Sequence, residues 1–188
     1  MKSVAQRIKI SGDQTTSAAK TPDIRVPGRR RITRWTKGAW TGLIAGTIAI
    51  ILEMVLSQVT AADRFWNPVR LSASIALGNR AVLHSSPFTF DIFFVGLLVH
   101  YVVCVLCAVI LGMIIHALKP LVAVGIGAVY GLLLYGLSFY GVALLYPWIA
   151  RDRGWVFLLG HVTFGVAAAW IYNQLHMRQI MRESGLGN

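Results

Sequence analysis

Apolar residues fall into four long runs along this chain, at 38–60, 92–118, 121–146 and 154–172, separated by short polar or proline-bearing segments. Each run is long enough to cross a hydrocarbon core of about 30 Å, which takes roughly 20 residues of helix. Lipid offers the backbone no hydrogen-bond partner, so a run of this length without an alternating period is helical. Lys119-Pro120 stops the second run and Pro147 stops the third, because proline lacks an N–H and disfavours helical backbone just before it. The two-residue connection at Lys119-Pro120 predicts that the helices on either side are antiparallel neighbours. The pattern predicts an all-α polytopic membrane protein, with four transmembrane helices in an up-down bundle over 38–175, a polar tail at 1–37 and a short tail at 176–188.

The long connection, 61–91, carries Asn67-Pro68 at one point and Gly78 further on. A capping residue, a first-turn proline and a closing glycine predict a short helix. It is too short to span, so it is expected on the periplasmic interface rather than folded back over the bundle. His84 is expected in an exposed loop. Residues 11–28 are rich in Gly, Pro, Ser and Thr without apolar periodicity, which predicts a disordered tail.

Composition strengthens this reading. Of 188 residues, 56% are hydrophobic and 13% charged, which excludes a disordered chain and an ordinary soluble domain. The net charge of +11 would suggest nucleic acid in a soluble protein, but ten of the eighteen Lys and Arg precede the first run, with only Asp13 and Asp23 beside them. Such a segment, above all Arg29, Arg30, Arg31, Arg34 and Lys37, is drawn to anionic lipid headgroups at about 1 kcal/mol per cation near the surface. No nucleic-acid partner is expected. The first run is expected to be a retained anchor, since it is longer than a signal-peptide core and follows 37 polar residues. Thirteen Lys and Arg flank one side of the spans and five the other (Arg64, Arg70, Arg80, Arg151 and Arg153). The excess marks the cytoplasmic side, placing both termini inside a bacterial inner membrane. Trp35, Trp40, Trp170 and Tyr172 would then belt the inner interface, and Trp66, Tyr146, Trp148 and Trp155 the outer one.

Candidate chemistry is confined to ionisable residues within the spans, where each is costly. Glu53, His100 and His161 lie about 10, 13 and 10 Å below the outer ends of their runs, at 1.5 Å per residue. Each shares a packing face with mostly small residues: Glu53 with Gly42, Gly46 and Ser57, His100 with Gly96, Cys104 and Cys107, His161 with Gly165, Ala168 and Tyr172. The third run adds Gly127 and Gly131, a stripe continuing to Ser138, with Tyr140 at a similar height. The expectation is a buried polar layer of Glu53, His100, His161, Ser138 and Tyr140. Such a layer can fix helix register, relay a proton or ion, or hold a metal through His100, His161 and Glu53 with Cys104, a set suited to Zn, Cu or Fe. A single haem b on His100 and His161 is a further form of that alternative. A second haem on His116 and His176 is not expected, since His116 sits roughly 160° around the helix from His100. Cys104 and Cys107 are read as core thiols, not as a disulfide. No P-loop, Gly-x-Ser-x-Gly elbow or His-Glu-x-x-His occurs, so nothing in the sequence names an enzyme.

The string Gly42-Leu43-Ile44-Ala45-Gly46 leading to Leu52-Glu53-Met54, then Asn67-Pro68, Val99-His100-Tyr101, Ser138-Phe139-Tyr140-Gly141, Tyr146-Pro147-Trp148 and Gly160-His161, resembles a family of short proteobacterial inner-membrane proteins. The likeness covers about residues 38–175. Some members carry the automatic name sodium:proline symporter, although four spans cannot build the paired repeats of such a transporter. The resemblance implies fold and location and transfers no mechanism. The expected function is a non-enzymatic accessory subunit or small ion- or solute-handling component, oligomerising through its small-residue faces or sitting within a larger membrane complex. No cofactor is required by this reading. The rival is a metal- or haem-bearing redox subunit using His100 and His161.

Overall fold

The computed structural model describes residues 27–61, 64–83 and 89–183, and among them there is no strand. Five α-helices carry the chain: α1 (Pro27–Thr60), α2 (Asn67–Leu77), α3 (Phe90–Ile115), α4 (Pro120–Gly136) and α5 (Trp155–Glu183). Four of these, α1, α3, α4 with the turns that follow it, and α5, are long and apolar enough to cross a membrane. Their surfaces fit that solvent, since Leu98, Leu106, Leu121 and Leu133 are all more than half exposed. A soluble monomer rarely shows so continuous an apolar surface.

The helices outrun the apolar runs at both ends of the chain. Residues 27–37, expected in a disordered tail, are helical and continuous with the spanning part of α1. Once a spanning helix is nucleated, each further residue costs little to add, so polarity ends the span without ending the helix. For the same reason α5 continues past 172 to Glu183, through residues expected in the C-terminal tail. Residues 1–26 lie outside the described residues, as do His84 and the side chains of Arg29, Arg30, Arg31 and Arg34.

Glycines decide which helices meet. On α1, a Cβ at Gly38 would fall 2.7 Å from Val109, one at Gly42 2.6 Å from the Val105 backbone, and one at Gly46 2.9 Å from Cys104, so α1 and α3 pack at backbone distance. On α4, Gly127 abuts the Gly165 carbonyl and Gly131 the His161 carbonyl, which seats α4 directly on α5. Side-chain interdigitation gives way here to close van der Waals approach of one backbone to the next, the usual means of association where lipid supplies no hydrophobic drive. α1 also packs along α5, from Glu53 beside Gly160 to Lys37, whose ammonium donates to His176 Nδ1 at 3.4 Å. The small-residue faces at Gly42, Gly46, Gly127 and Gly131 are thus filled within one chain. α3 and α4, although joined by the short turn at 116–119, scarcely touch beyond it. One link between them is the Tyr130 hydroxyl, which donates to the Cys107 carbonyl at 3.0 Å.

Two expectations about aromatic and capping residues are corrected. Tyr172 is buried, its ring lying where a Cβ on Gly112 would come within 2.5 Å, and so it is a core residue and not a belt residue. Trp35, Trp40, Trp155 and Trp170 are exposed. α2 begins and ends as its sequence predicts, with Gly78 at φ 75° closing it, but the Asn67 amide does not cap the helix. It donates instead to Asp152 Oδ1 at 2.9 Å.

Candidate functional site

The third spanning element departs from regular helix where its sequence turns to Leu137-Ser138-Phe139-Tyr140-Gly141. These residues form a π-helical turn, followed by 3-10 turns at Val142–Leu144 and Pro147–Asp152. A π turn adds a residue to the helical circuit and shifts the phase of every side chain after it. Phe139 is carried into the core, with its ring centroid 5.2 Å from Phe157 and 6.0 Å from His161. Tyr140 is carried out. At 57% exposure it does not belong to the buried layer, and its ring lies 4.3 Å beneath the Arg153 guanidinium. From beyond the following turns, Arg153 Nε donates to Phe139 O at 2.8 Å.

Glu53 on α1 is 7% exposed. Its carboxylate rests in the space left by Gly160, where any Cβ would collide with Oε1 and Cγ. His161, the next residue on α5, brings Nδ1 to 3.7 Å from Glu53 Oε1. The same Nδ1 donates to the Phe157 carbonyl at 2.8 Å, one turn back, which fixes the neutral ring as the tautomer with hydrogen on Nδ1. His100 on α3 makes the complementary choice. Its Nε2 donates across the helix seam to Gly46 O at 3.0 Å, with the Cys104 sulfur 3.5 Å from the same nitrogen.

These side chains converge on a cavity of about 260 Å³ enclosed by α1, α2, α3, the π turn and α5. Glu53, His100, His161 and Ser138 all line it, joined by Ser72, Cys104 and Cys107. Most of the remaining wall is aliphatic. Val103 on α3 and Leu137 on the π turn line the cavity and are themselves 47% and 61% exposed, so the opening lies on the lipid side between α3 and α4. Leu71 of α2 is buried on the wall nearest the 61–91 connection, while Ile75, 38% exposed, sits at the rim there.

Sequence patterning missed the residues that hold this enclosure shut. Asp152 accepts from Asn67 and lies 4.0 Å from Arg64, and Trp148 Nε1 donates to the Ser74 hydroxyl at 3.0 Å. Together they tie α2 to the 147–152 turn. Arg70, also on α2, donates to Ala81 O at 3.2 Å, and burial lowers its pKa from the usual arginine value. These partners lie more than 70 residues apart in three cases, and nothing in the local sequences marks the pairing.

The metal alternative needs at least three donors at one point. Among the described residues no group of three or more His, Cys, Asp or Glu side chains is arranged to hold a metal ion. Glu53 approaches His161 while Cys104 approaches His100, so the set His100, His161, Glu53 and Cys104 is divided into two pairs. The ring hydrogens committed to Phe157 O and Gly46 O further turn one nitrogen of each imidazole toward backbone. His116 donates to the Met113 carbonyl at 2.8 Å at the end of α3, and His176 pairs with Lys37. Neither comes to the cavity.

No protein family, curated protein or solved structure matches the chain.

Proposed function

We propose that this chain is an integral protein of a bacterial inner membrane that handles a small ion or solute at the Glu53–His161 cavity, as a non-enzymatic component working alone or within a larger membrane complex. The observation that carries the reading is a carboxylate and an imidazole 3.7 Å apart on the wall of a cavity within the spanning region. An ionisable residue in a span costs several kcal/mol by insertion scales, about 2.5–3.5 for Asp, and is characteristic of ion and proton pathways. A register-fixing role alone needs no cavity beside it.

The four spans run up, down, up and down in this reading. Contacts ascending one helix and descending its partner support that order: 38, 42 and 46 against 109, 105 and 104, and 127 and 131 against 165 and 161. The charge count on the flanks favours cytoplasmic termini and, with them, α2 at the periplasmic interface. The resemblance to short proteobacterial inner-membrane proteins is consistent with this placement, and the basic residues from Arg29 to Lys37 would rest on anionic headgroups.

Proteoliposomes containing a pH-sensitive dye test the reading. Wild-type protein should dissipate an imposed pH gradient faster than protein-free vesicles, and Glu53→Gln should return the rate to the protein-free level while still eluting as folded protein. A wild-type rate equal to that of empty vesicles would overturn it.

A further inference from the structure

The cavity has a one-sided hydrogen-bonding character. His161 commits its Nδ1 hydrogen to Phe157 O and His100 its Nε2 hydrogen to Gly46 O, so the second nitrogen of each neutral ring is an acceptor. The Ser72 hydroxyl donates to Pro68 O at 3.0 Å and keeps only lone pairs to offer. An ionised Glu53 accepts and never donates. Among the described residues no Lys or Arg lines the cavity, and its donors are the Ser138 hydroxyl and two weakly donating thiols. An anion placed here would meet a carboxylate and no countercharge. A metal ion would find its donors split into pairs. The chemistry left is a solute that supplies hydrogens and positive charge.

Shape narrows the class further. At roughly 30 Å³ per water-sized group, the 260 Å³ cavity holds roughly nine such groups. Its walls at Val99, Val103, Leu134 and Leu137 are aliphatic, and the opening faces lipid and not water. We infer that the cavity binds an amphipathic organic ammonium ion, a protonated alkyl- or arylalkylamine, with its N–H groups toward Glu53 and its apolar body toward the opening between α3 and α4, which it enters from the bilayer. The bound ammonium supplies the positive charge that no Lys or Arg of the cavity wall offers to the Glu53 carboxylate. A charge-assisted hydrogen bond from N–H to carboxylate is roughly twice as strong as a neutral one, which gives the head group its selectivity.

This inference rests on the reading of the cavity as a solute site and names the class of solute. The test uses the full-length protein in a maltoside detergent, titrated calorimetrically with n-octylammonium, n-octanol and n-octanoate, which share one body and differ in the head. Octylammonium should bind once per chain, and the alcohol and the carboxylate at least about tenfold more weakly, a difference of about 1.4 kcal/mol. Glu53→Gln should weaken octylammonium at least tenfold. Val103→Trp, at the exposed rim where a larger ring meets detergent and not core, should abolish binding even if the Glu53 variant does not fold. Octanol or octanoate binding as tightly as the amine, no amine binding at all, or unchanged amine binding in the Val103 variant would overturn the assignment. Amine binding lost with vesicle flux intact removes the ammonium class and leaves the transport reading. Binding intact with no flux does the reverse.

Discussion

At Gly160 the absence of a side chain is what admits the Glu53 carboxylate. The two residues occupy complementary halves of one volume, since a methyl group at 160 would overlap Oε1 and Cγ of Glu53. Gly160→Ala should therefore push the carboxylate off His161 or part α1 from α5. Overpacking of this kind costs about 1–3 kcal/mol. The expected result is a lower melting temperature in detergent, with the loss recovered when Glu53→Ala is added to make room. Additive destabilisation in the double variant would count against the steric account. The pairing partners themselves are legible in the sequence. Glu53, His100 and His161 stand out because ionisable residues are rare in apolar runs, and 1.5 Å per residue puts them at one depth. Gly160 is not legible in the same way, because its role lies in what α1 places opposite it. Tyr140 misleads because height alone puts it in the layer, whereas one extra residue in the π turn rotates it outward.

Among the helices, the third span departs furthest from a plain rod. The Phe139 carbonyl in its π turn accepts from Arg153, which comes from beyond the following loop and also stacks on Tyr140. Arg153→Ala should cost about 1–2 kcal/mol through the unsatisfied carbonyl. Lysine should restore little of this, because an ammonium cannot both donate along the chain axis and lie flat on the phenol ring. Chemical denaturation of the two variants in micelles checks the order. Arg153→Lys as stable as wild type would remove the double role. Helix existence is readable from hydrophobic run length, and α2 from its proline and glycine. Helix ends are not, because an apolar run marks where lipid stops and not where hydrogen bonding stops. Hence α1 is already helical at Pro27 and α5 still helical at Glu183, each beyond the expected span.

Across the whole molecule, contacts between α2 and the 147–152 turn close one end of the cavity. Asn67 to Asp152 and Trp148 to Ser74 are the two hydrogen bonds that make this closure. A double-mutant cycle on Asn67→Ala and Asp152→Ala should give a coupling energy of about 0.5–3 kcal/mol, as for residues that touch directly. Zero coupling would mean that α2 is held by packing alone. Chain adjacency predicts that α3 and α4 lie side by side, yet glycine faces send α3 to α1 and α4 to α5. That choice depends on which surfaces allow backbones to approach, and run lengths carry no information about it. The resulting gap has a thermodynamic consequence. In the proposed reading acyl tails supply the missing wall, so an occupant would displace hydrocarbon, and its apparent affinity would follow its mole fraction among lipids and not its molarity in the buffer. Tail length and unsaturation in the host bilayer thereby become determinants of occupancy as direct as any substitution in the protein.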